Sequence, residues 1–156
     1  MSRRSVIKKR YPKPDSNYNS CLVSLLTARI LKSGKKSLAD SIILETFALI
    51  QEKTNLDPLQ VFEKAIQNIT PLVEVKARRI GGSTYQVPLE VSRYRGTNLA
   101  LRWLIAAAKA RAGRTISIKL ASEIIDASNN VGNAMRKREE THRMAEANKA
   151  FAHFSY

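Results

Sequence analysis

Three cations close to a glycine pair are the residues of this sequence best suited to bind a ligand. Lys76, Arg78 and Arg79 fall within four positions and are followed by Gly81-Gly82. Arginine offers a planar fork of donors that matches phosphate and can also stack on bases. Glycine lets a backbone approach a ligand closely. The pattern therefore favours anion recognition over a merely solvated basic strand, although it lacks the spacing of a phosphate-binding Walker A loop.

Side chains suited to catalysis or metal binding are few and far apart. His142 and His153 have no cysteine or paired carboxylate at the spacing that metal ligands need. The acids are scattered and offer no general acid/base pair. Cys21 lies among apolar residues, which predicts a core thiol and not a nucleophile. The sequence therefore predicts neither an enzyme nor a metal or other cofactor.

The three cations belong to a segment that predicts a β-hairpin over residues 72–91. Val73, Val75 and Ala77 alternate with polar residues, and a second alternating run follows the glycine pair. The glycine pair tolerates the positive φ angles of a tight hairpin turn. Because a two-stranded ribbon is only marginally stable alone, we expect it to protrude as an arm that docks on an anionic partner.

The rest of the chain predicts helices, so the expected fold is mainly α. Apolar residues recur at helical spacing in five segments, and Asp57-Pro58 is a strong helix start. A sixth segment is rich in charged residues and Ala, with sparse apolar positions, and predicts a mostly polar helix. The predicted architecture is a single domain of about six helices with a two-stranded β-hairpin between helices 3 and 4. A basic extended N-terminal arm, residues 1–14, precedes the helical domain, residues 15–156. The helices are predicted over residues 19–33, 36–53, 58–70, 97–111, 115–128 and 132–149.

Charge is the strongest compositional signal. The chain has 156 residues and a formal net charge of +14, far more than solubility needs, which indicates a nucleic-acid binder. Two basic zones flank an acidic one, because residues 40–74 hold six acids and only two bases. An anionic membrane surface is the rival partner, but the sixth helix is too poor in large apolar residues for that role. No apolar run approaches the roughly 18 residues of a membrane span.

Further cations extend the candidate RNA-binding set beyond the hairpin. The arm could follow a phosphate backbone, or it could be a solubilising tail or a targeting signal. The fourth helix has almost no acids nearby, whereas an ordinary solvated face usually mixes charges. The C-terminal aromatics either fix the tail to the body or stack on bases. The candidates outside the hairpin are Arg3, Arg4, Lys8, Lys9, Arg10, Lys35, Lys36, Arg95, Arg102, Lys109, Arg111 and Arg114.

Four segments together resemble the small-subunit ribosomal protein seven family, of bacterial and plastid type. The resemblance runs over nearly the whole chain and is most specific in two long segments. These are Val-Glu-Val-Lys-Ala-Arg-Arg-Ile-Gly-Gly-Ser-Thr-Tyr-Gln-Val-Pro at 73–88 and the stretch from Arg136 to Phe154. The other two are Arg4 to Arg10 with Asp15, and Ala100-Leu101-Arg102-Trp103.

The resemblance implies a structural role in translation. Members of the family bind small-subunit ribosomal RNA, nucleate assembly of the subunit head and lie near the exit site, beside messenger and departing transfer RNA. They also contact neighbouring head proteins and a platform protein, and no homo-oligomer is expected. The resemblance places Gly81, Gly82, Ser83, Arg143 and Lys149 near the exit-site transfer RNA. It implies RNA contacts for the hairpin, the arm and the fourth helix.

Two questions stay open at the level of sequence. An alternative function is a basic architectural DNA-binding protein that places helices against a duplex. The compartment is either the plastid (chloroplast) stroma or the cyanobacterial cytoplasm. The short C-terminal end, abundant Asn, Ile and Lys, and the lack of a removable transit peptide favour a chloroplast-encoded member.

Overall fold

The computed structural model describes residues 12–155 and confirms a mainly helical fold with one β-hairpin. Six α-helices surround one hydrophobic core, and the hairpin lies between the third and fourth of them. A short 3₁₀ helix, Lys149–Ser155, follows the last α-helix. The elements are α1 Cys21–Ile30, α2 Lys36–Thr54, α3 Pro58–Ile69, β1 Val73–Ile80, β2 Ser83–Glu90, α4 Arg93–Ala110, α5 Ile116–Ser128 and α6 Asn133–Ala147.

Helix α5 lies at the centre of the fold. It packs against α2, α3 and α4, and α6 packs against α3, α4 and α5. The largest buried side chains include Phe47, Phe62, Leu101, Leu104 and Ile124, none of which reaches solvent. Each such side chain contributes about 1.5–3 kcal/mol of hydrophobic free energy on burial. The body is therefore a rigid base on which the hairpin and the loops are mounted.

Helix α3 begins as its sequence predicts. The Asp57 carboxylate accepts a hydrogen bond of 3.1 Å from the backbone N–H of Leu59, and Pro58 takes the first helical position. Proline fits there because its missing N–H would have no partner in a first turn. This start directs α3 toward Thr70 and Pro71, which lead into the hairpin.

Helix α4 begins at Arg93, four residues before the predicted start. The segment Arg93 to Gly96 has no apolar periodicity, and glycine has a low helix propensity. Gly96 is nevertheless helical and buried. A Cβ atom there would lie only 2.8 Å from Cγ2 of Thr70, so a larger residue would not fit. The glycine therefore permits close packing of α4 against the end of α3, a tertiary requirement that helix propensity does not reveal.

The two strands of the hairpin pair in a register that separates their hydrophobic residues. Arg78 pairs with Tyr85 and Lys76 with Val87, so these four side chains share one face. Val75 and Ala77 of β1 therefore lie on the opposite face from Tyr85 and Val87 of β2. Val87 is fully buried, whereas Ala77 is exposed. The face that carries Tyr85 holds the buried residues Glu74 and Val87, and it also carries cations from β1.

Cys21 does not occupy the core position predicted for it. It is the first residue of α1 and is exposed, with Sγ 3.9 Å from the backbone oxygen of Pro12. The apolar face of α1 instead buries Val23 and Leu26. Cys21 is two and five residues from these positions, so at about 3.6 residues per turn it falls nearly opposite the buried stripe of the helix.

No helix within residues 12–155 combines the length and the apolar character that a membrane crossing requires. The same part of the chain holds no group of three or more His, Cys, Asp or Glu residues arranged to ligate a metal.

Candidate nucleic-acid interface

A buried carboxylate fixes the base of the hairpin to α4. Glu74 on β1 is 8% exposed and accepts two hydrogen bonds from Nε of Arg95, of 2.7 and 2.8 Å. Nζ of Lys76 lies 3.3 Å from the same carboxylate. The side chains of both cations remain half exposed. One acid therefore orients two bases and leaves a net positive charge where the hairpin joins the body.

His142 on α6 provides a second attachment for the hairpin. Its Nε2 accepts a hydrogen bond of 3.1 Å from the backbone N–H of Leu72, directly before β1. A ring nitrogen can accept this bond only when it carries no proton. Burial, together with the nearby charge of Arg138, lowers the pKa of His142 below its ordinary value of 6.5.

We expect the stability of the protein to fall as the pH drops below about 6.5, in part through His142. Because its folded pKa is lowered, the unfolded chain binds more protons in the window between the two pKa values. The contribution of His142 to the free energy of unfolding is complete above pH 6.5 and declines as the pH falls toward the lowered pKa of the folded state. Urea denaturation at two pH values, about one unit above and about one unit below the ordinary histidine pKa, measures the effect.

The matched variant is His142→Gln, whose side-chain oxygen can accept from Leu72 at both pH values. The variant should lose part of the difference in denaturation midpoint that the native protein shows between the two pH values. An equal difference in both proteins would contradict a role for His142.

The 3₁₀ helix at the C-terminus packs on the body-facing side of the hairpin. The ring of Tyr85 lies 5.2 Å from that of Phe151 and 5.7 Å from that of Phe154, centroid to centroid. A guanidinium nitrogen of Arg78 donates a hydrogen bond of 3.0 Å to the backbone oxygen of Phe154. Of the two alternatives for the C-terminal aromatics, fixing the tail to the body is therefore the one observed. Tyr156 lies outside the described residues.

The turn at the tip of the hairpin is open. Gly81 and Gly82 have φ angles of +56° and +93°, and a Cβ atom at either position would meet nothing within 4 Å. Arg78 and Arg79 point to opposite faces of the ribbon because neighbouring strand residues alternate. Arg79 is exposed, and a cleft of about 450 Å³ is lined by both arginines together with His153 and Phe154. A ligand can thus approach a cationic tip from more than one side.

Arg95, Arg102 and Lys109 form a line of cations along α4, which we call the α4 basic stripe. The three are seven residues apart, nearly two helical turns, so they share one face. All three are exposed, and α4 contains no Asp or Glu. The stripe spans about 21 Å from Arg95 to Lys109. It therefore links the hairpin at one end of α4 to the α1–α2 loop at the other.

The α1–α2 loop adds cations at the far end of the stripe. Lys32, Lys35 and Lys109 line one pocket. Ser33 and Gly34 take left-handed conformations, with φ angles of +54° and +72°. The loop is closed by the backbone N–H of Lys35, which donates to the oxygen of Lys32 at 3.2 Å. Lys36, also exposed, begins α2 and lies in the neighbouring pocket.

Arg111 has a different environment from the other predicted contacts. Its guanidinium forms ion pairs with Glu123 and Asp126 on α5. Burial alone would lower the pKa of Arg111, but the hydrogen bonds to Asp126 and Glu123 outweigh it and raise the pKa above its ordinary value. Two carboxylates thus neutralise this cation and turn it toward the protein. Its surroundings therefore speak against the prediction that Arg111 binds RNA, whereas Arg114 in the next loop is exposed.

The remaining predicted residues are scattered or lie outside the described chain. Arg143 is exposed on α6 and Lys149 on the 3₁₀ helix, and neither belongs to the stripe. Ser83 begins β2 beside the open turn. The predicted contacts Arg3, Arg4, Lys8, Lys9 and Arg10 fall outside residues 12–155.

Three contributors escaped sequence reasoning. Lys32 lines the same pocket as Lys109, the last residue of the stripe. Its position three residues before the predicted contact Lys35 could have indicated this from the sequence. Arg29 on α1 donates a hydrogen bond of 2.7 Å to Asn98 on α4, which the sequence could not indicate. Glu74 looked like one of several scattered acids, yet it orients the cations at the base of the hairpin.

The sequence is similar to known proteins over its full length. Residues 2–149 match the family model described as Ribosomal protein S7p/S5e. The chain is 62% identical to a protein of Arthrospira platensis and 64% identical to one of Synechocystis sp., each over 156 residues and the full length of both chains. A protein of Microcystis aeruginosa is 60% identical over the same span. All three are named small ribosomal subunit protein uS7, and nothing among them supports a DNA-binding role. The chain belongs to the ribosomal protein S7p/S5e family.

Proposed function

We propose that this protein is a structural component of the small ribosomal subunit and binds small-subunit ribosomal RNA. The observation that carries the proposal is the α4 basic stripe, which continues without an acid on its own helix from the hairpin to the α1–α2 loop. The names of the full-length relatives support the same role. The function is scaffolding, with no catalytic step.

The mechanism follows from the charges and the shape of this surface. Lys and Arg side chains that contact phosphates displace condensed counterions, so the affinity falls steeply as salt rises. Folded RNA is recognised by its shape, its 2′-hydroxyls and its unpaired bases. A helical body with a hairpin at one end of a stripe of about 21 Å and a basic loop at the other can bracket such a shape.

We further propose a place in the subunit head for each basic region. Binding at the stripe, with Arg114 beyond it, nucleates folding of the head RNA, and residues 1–14 act as an arm that follows RNA. The hairpin tip, with Lys76, Arg79 and the segment 81–83, faces messenger RNA and the exit-site transfer RNA. Arg143 and Lys149 lie on the side of the same transfer RNA. Neighbouring head proteins and a platform protein complete the contacts, while Arg111 holds the helices together.

The proposed location is the ribosome of a plastid, in the chloroplast stroma. The relatives are cyanobacterial, and plastids share that ancestry, so the similarity fits a cyanobacterial cytoplasm as well. Mass spectrometry of ribosomes purified from isolated chloroplasts of the source organism separates the two. Detection of the chain there would support the plastid, and a source organism without plastids would overturn it.

The central test compares two polyanions over a salt series. The full chain is titrated against the isolated head domain of small-subunit ribosomal RNA and against duplex DNA of equal charge. We expect at least about tenfold tighter binding to the RNA at every salt concentration, together with a steep salt dependence for both. Equal affinities would mean that the charge acts without specificity and would contradict the proposal.

A further inference from the structure

The pocket at the end of the α4 basic stripe differs in chemistry from the rest of the interface. It has a volume of about 360 Å³ and lies where the end of α1, the start of α2, the end of α4 and the start of α5 meet. Its lining combines aliphatic and cationic side chains. The aliphatic residues include Leu38, Ile42 and Ile105, and the cations are Lys32, Lys35 and Lys109. We call it the Leu38 pocket.

Leu38 is a large apolar residue that is exposed to solvent within this pocket. Its side chain is 55% exposed, although it lies on α2 one residue before the buried Ala39. Exposed leucines are ordinary when they stand singly on a polar surface. Leu38 instead shares a concave surface with four isoleucines, and no carboxylate lines that surface. An aliphatic hollow that is also lined by three lysines is suited to a ligand that is both apolar and anionic.

A nucleotide combines those two properties within one residue. Its base presents a flat apolar face, and its phosphates are placed beside it to meet cations. An apolar side chain of a protein partner would cover Leu38 but would leave the three lysines without counter-charges. The volume of the pocket falls in the range of about 300–1,000 Å³ that is typical of small-ligand sites. Charge complementarity therefore favours RNA as the occupant.

The pocket is held by rigid elements. Its walls come from four helices whose neighbouring residues are buried in the core. The loop that carries Lys32 and Lys35 is closed by the backbone hydrogen bond between these two residues and by one of 2.8 Å from the N–H of Lys36 to the oxygen of Gly34. A bound base would therefore not have to order the backbone of the pocket, and the ordering cost on the protein falls on the three lysine side chains.

We propose that the Leu38 pocket receives one unpaired base of the ribosomal RNA, with the flanking phosphates on Lys32, Lys35 and Lys109. The inference rests on the proposed function and deepens it. The stripe on α4 supplies contacts to the RNA backbone, and the Leu38 pocket adds a contact that requires a base to be splayed out of a helix. Recognition then depends on the RNA fold and not only on its charge.

The discriminating variant is Leu38→Lys. It adds a positive charge next to the stripe, so purely electrostatic binding would become tighter or stay unchanged. If a base packs on Leu38, the same change removes part of the apolar surface that the base contacts and should weaken RNA binding about tenfold. The matched control is Leu56→Lys, because Leu56 is 61% exposed in the loop between α2 and α3, away from the pocket. Both leucines are exposed, so both variants are expected to fold.

The affinity of each protein for the head-domain RNA is measured together with chemical probing of every unpaired base. We expect the wild-type chain to protect one unpaired base, and Leu38→Lys to weaken binding and lose that protection while Leu56→Lys does neither. Equal behaviour of the two variants would overturn the assignment of a base to the Leu38 pocket and leave the proposed function intact. Weaker binding without a protected base would also overturn it. Failure of the wild-type chain to bind the RNA would overturn the proposed function itself.

Discussion

Replacing Glu123 with alanine is expected to destabilise the protein by about 3 kcal/mol or more. Glu123 on α5 is fully buried and forms an ion pair with Arg111. Its other carboxylate oxygen accepts a hydrogen bond of 2.9 Å from the backbone N–H of Ala134 in the first turn of α6. The variant would leave the partly buried guanidinium of Arg111 with Asp126 alone, and the N-terminus of α6 without its acceptor. Removing one member of a buried pair typically costs about 3–5 kcal/mol.

Urea denaturation followed by circular dichroism measures this loss. The control is Glu140→Ala, because Glu140 forms an exposed pair with Lys137 at 2.7 Å. Exposed pairs on one helix contribute at most about 1 kcal/mol, so this variant should stay close to the native midpoint. Glu123→Gln should fall between the two, since an amide oxygen can still accept from Ala134. Equal losses for Glu123→Ala and Glu140→Ala would contradict the assigned role.

The junction around Glu123 also matters for the interface. It ties the C-terminal end of α4 to α5 and to the start of α6 through one carboxylate. Gly132 allows the start of α6 to lie close to Glu123, because a Cβ atom at this position would lie 2.9 Å from Oε1 of Glu123. Lys109 lies two residues before Arg111, so the junction fixes the end of the stripe that meets the Leu38 pocket. Stability and RNA binding are therefore linked at this end of α4.

Local signals in the sequence were sufficient for most of the architecture. Helical periodicity identified five helices, a segment rich in charge and Ala identified the sixth, and Asp57-Pro58 located a helix start to the residue. The glycine pair identified the hairpin turn, since few other residues accept two successive positive φ angles. These features depend on neighbours in the chain, which a sequence displays directly.

Features that depend on distant residues could not be predicted. The helical position of Gly96 follows from its contact with Thr70 at the end of α3. The neutralisation of Arg111 follows from Glu123 and Asp126, which looked like ordinary acids on the next helix. The sequence alone does not distinguish Arg111 from Arg102. In the fold, Arg111 is paired with two carboxylates, whereas Arg102 is exposed. Charge patterns thus identify the class of partner, and only packing identifies which cations remain available.

The double variant Arg102→Glu, Lys109→Glu is expected to weaken binding to the head-domain RNA by about 100-fold at low salt. Both side chains are exposed on the α4 basic stripe, so their reversal should leave the fold unchanged. Each reversal removes one cation from the RNA backbone and places an anion against it. The slope of log affinity against log salt should also become shallower by about two units, because two fewer phosphates are neutralised.

A control of equal charge decides whether position or total charge governs this effect. Lys53→Glu, Lys64→Glu makes the same change in net charge on exposed residues of α2 and α3, in the acidic zone of the chain. If binding depends on overall charge, both double variants should lose affinity and salt dependence to the same extent. If the stripe is the surface that meets the RNA, the control should weaken only a few-fold, through long-range attraction that salt screens within about 10 Å at 0.1 M. A large effect confined to the stripe variant would thus locate the interface on one face of α4, and equal effects would refute that placement.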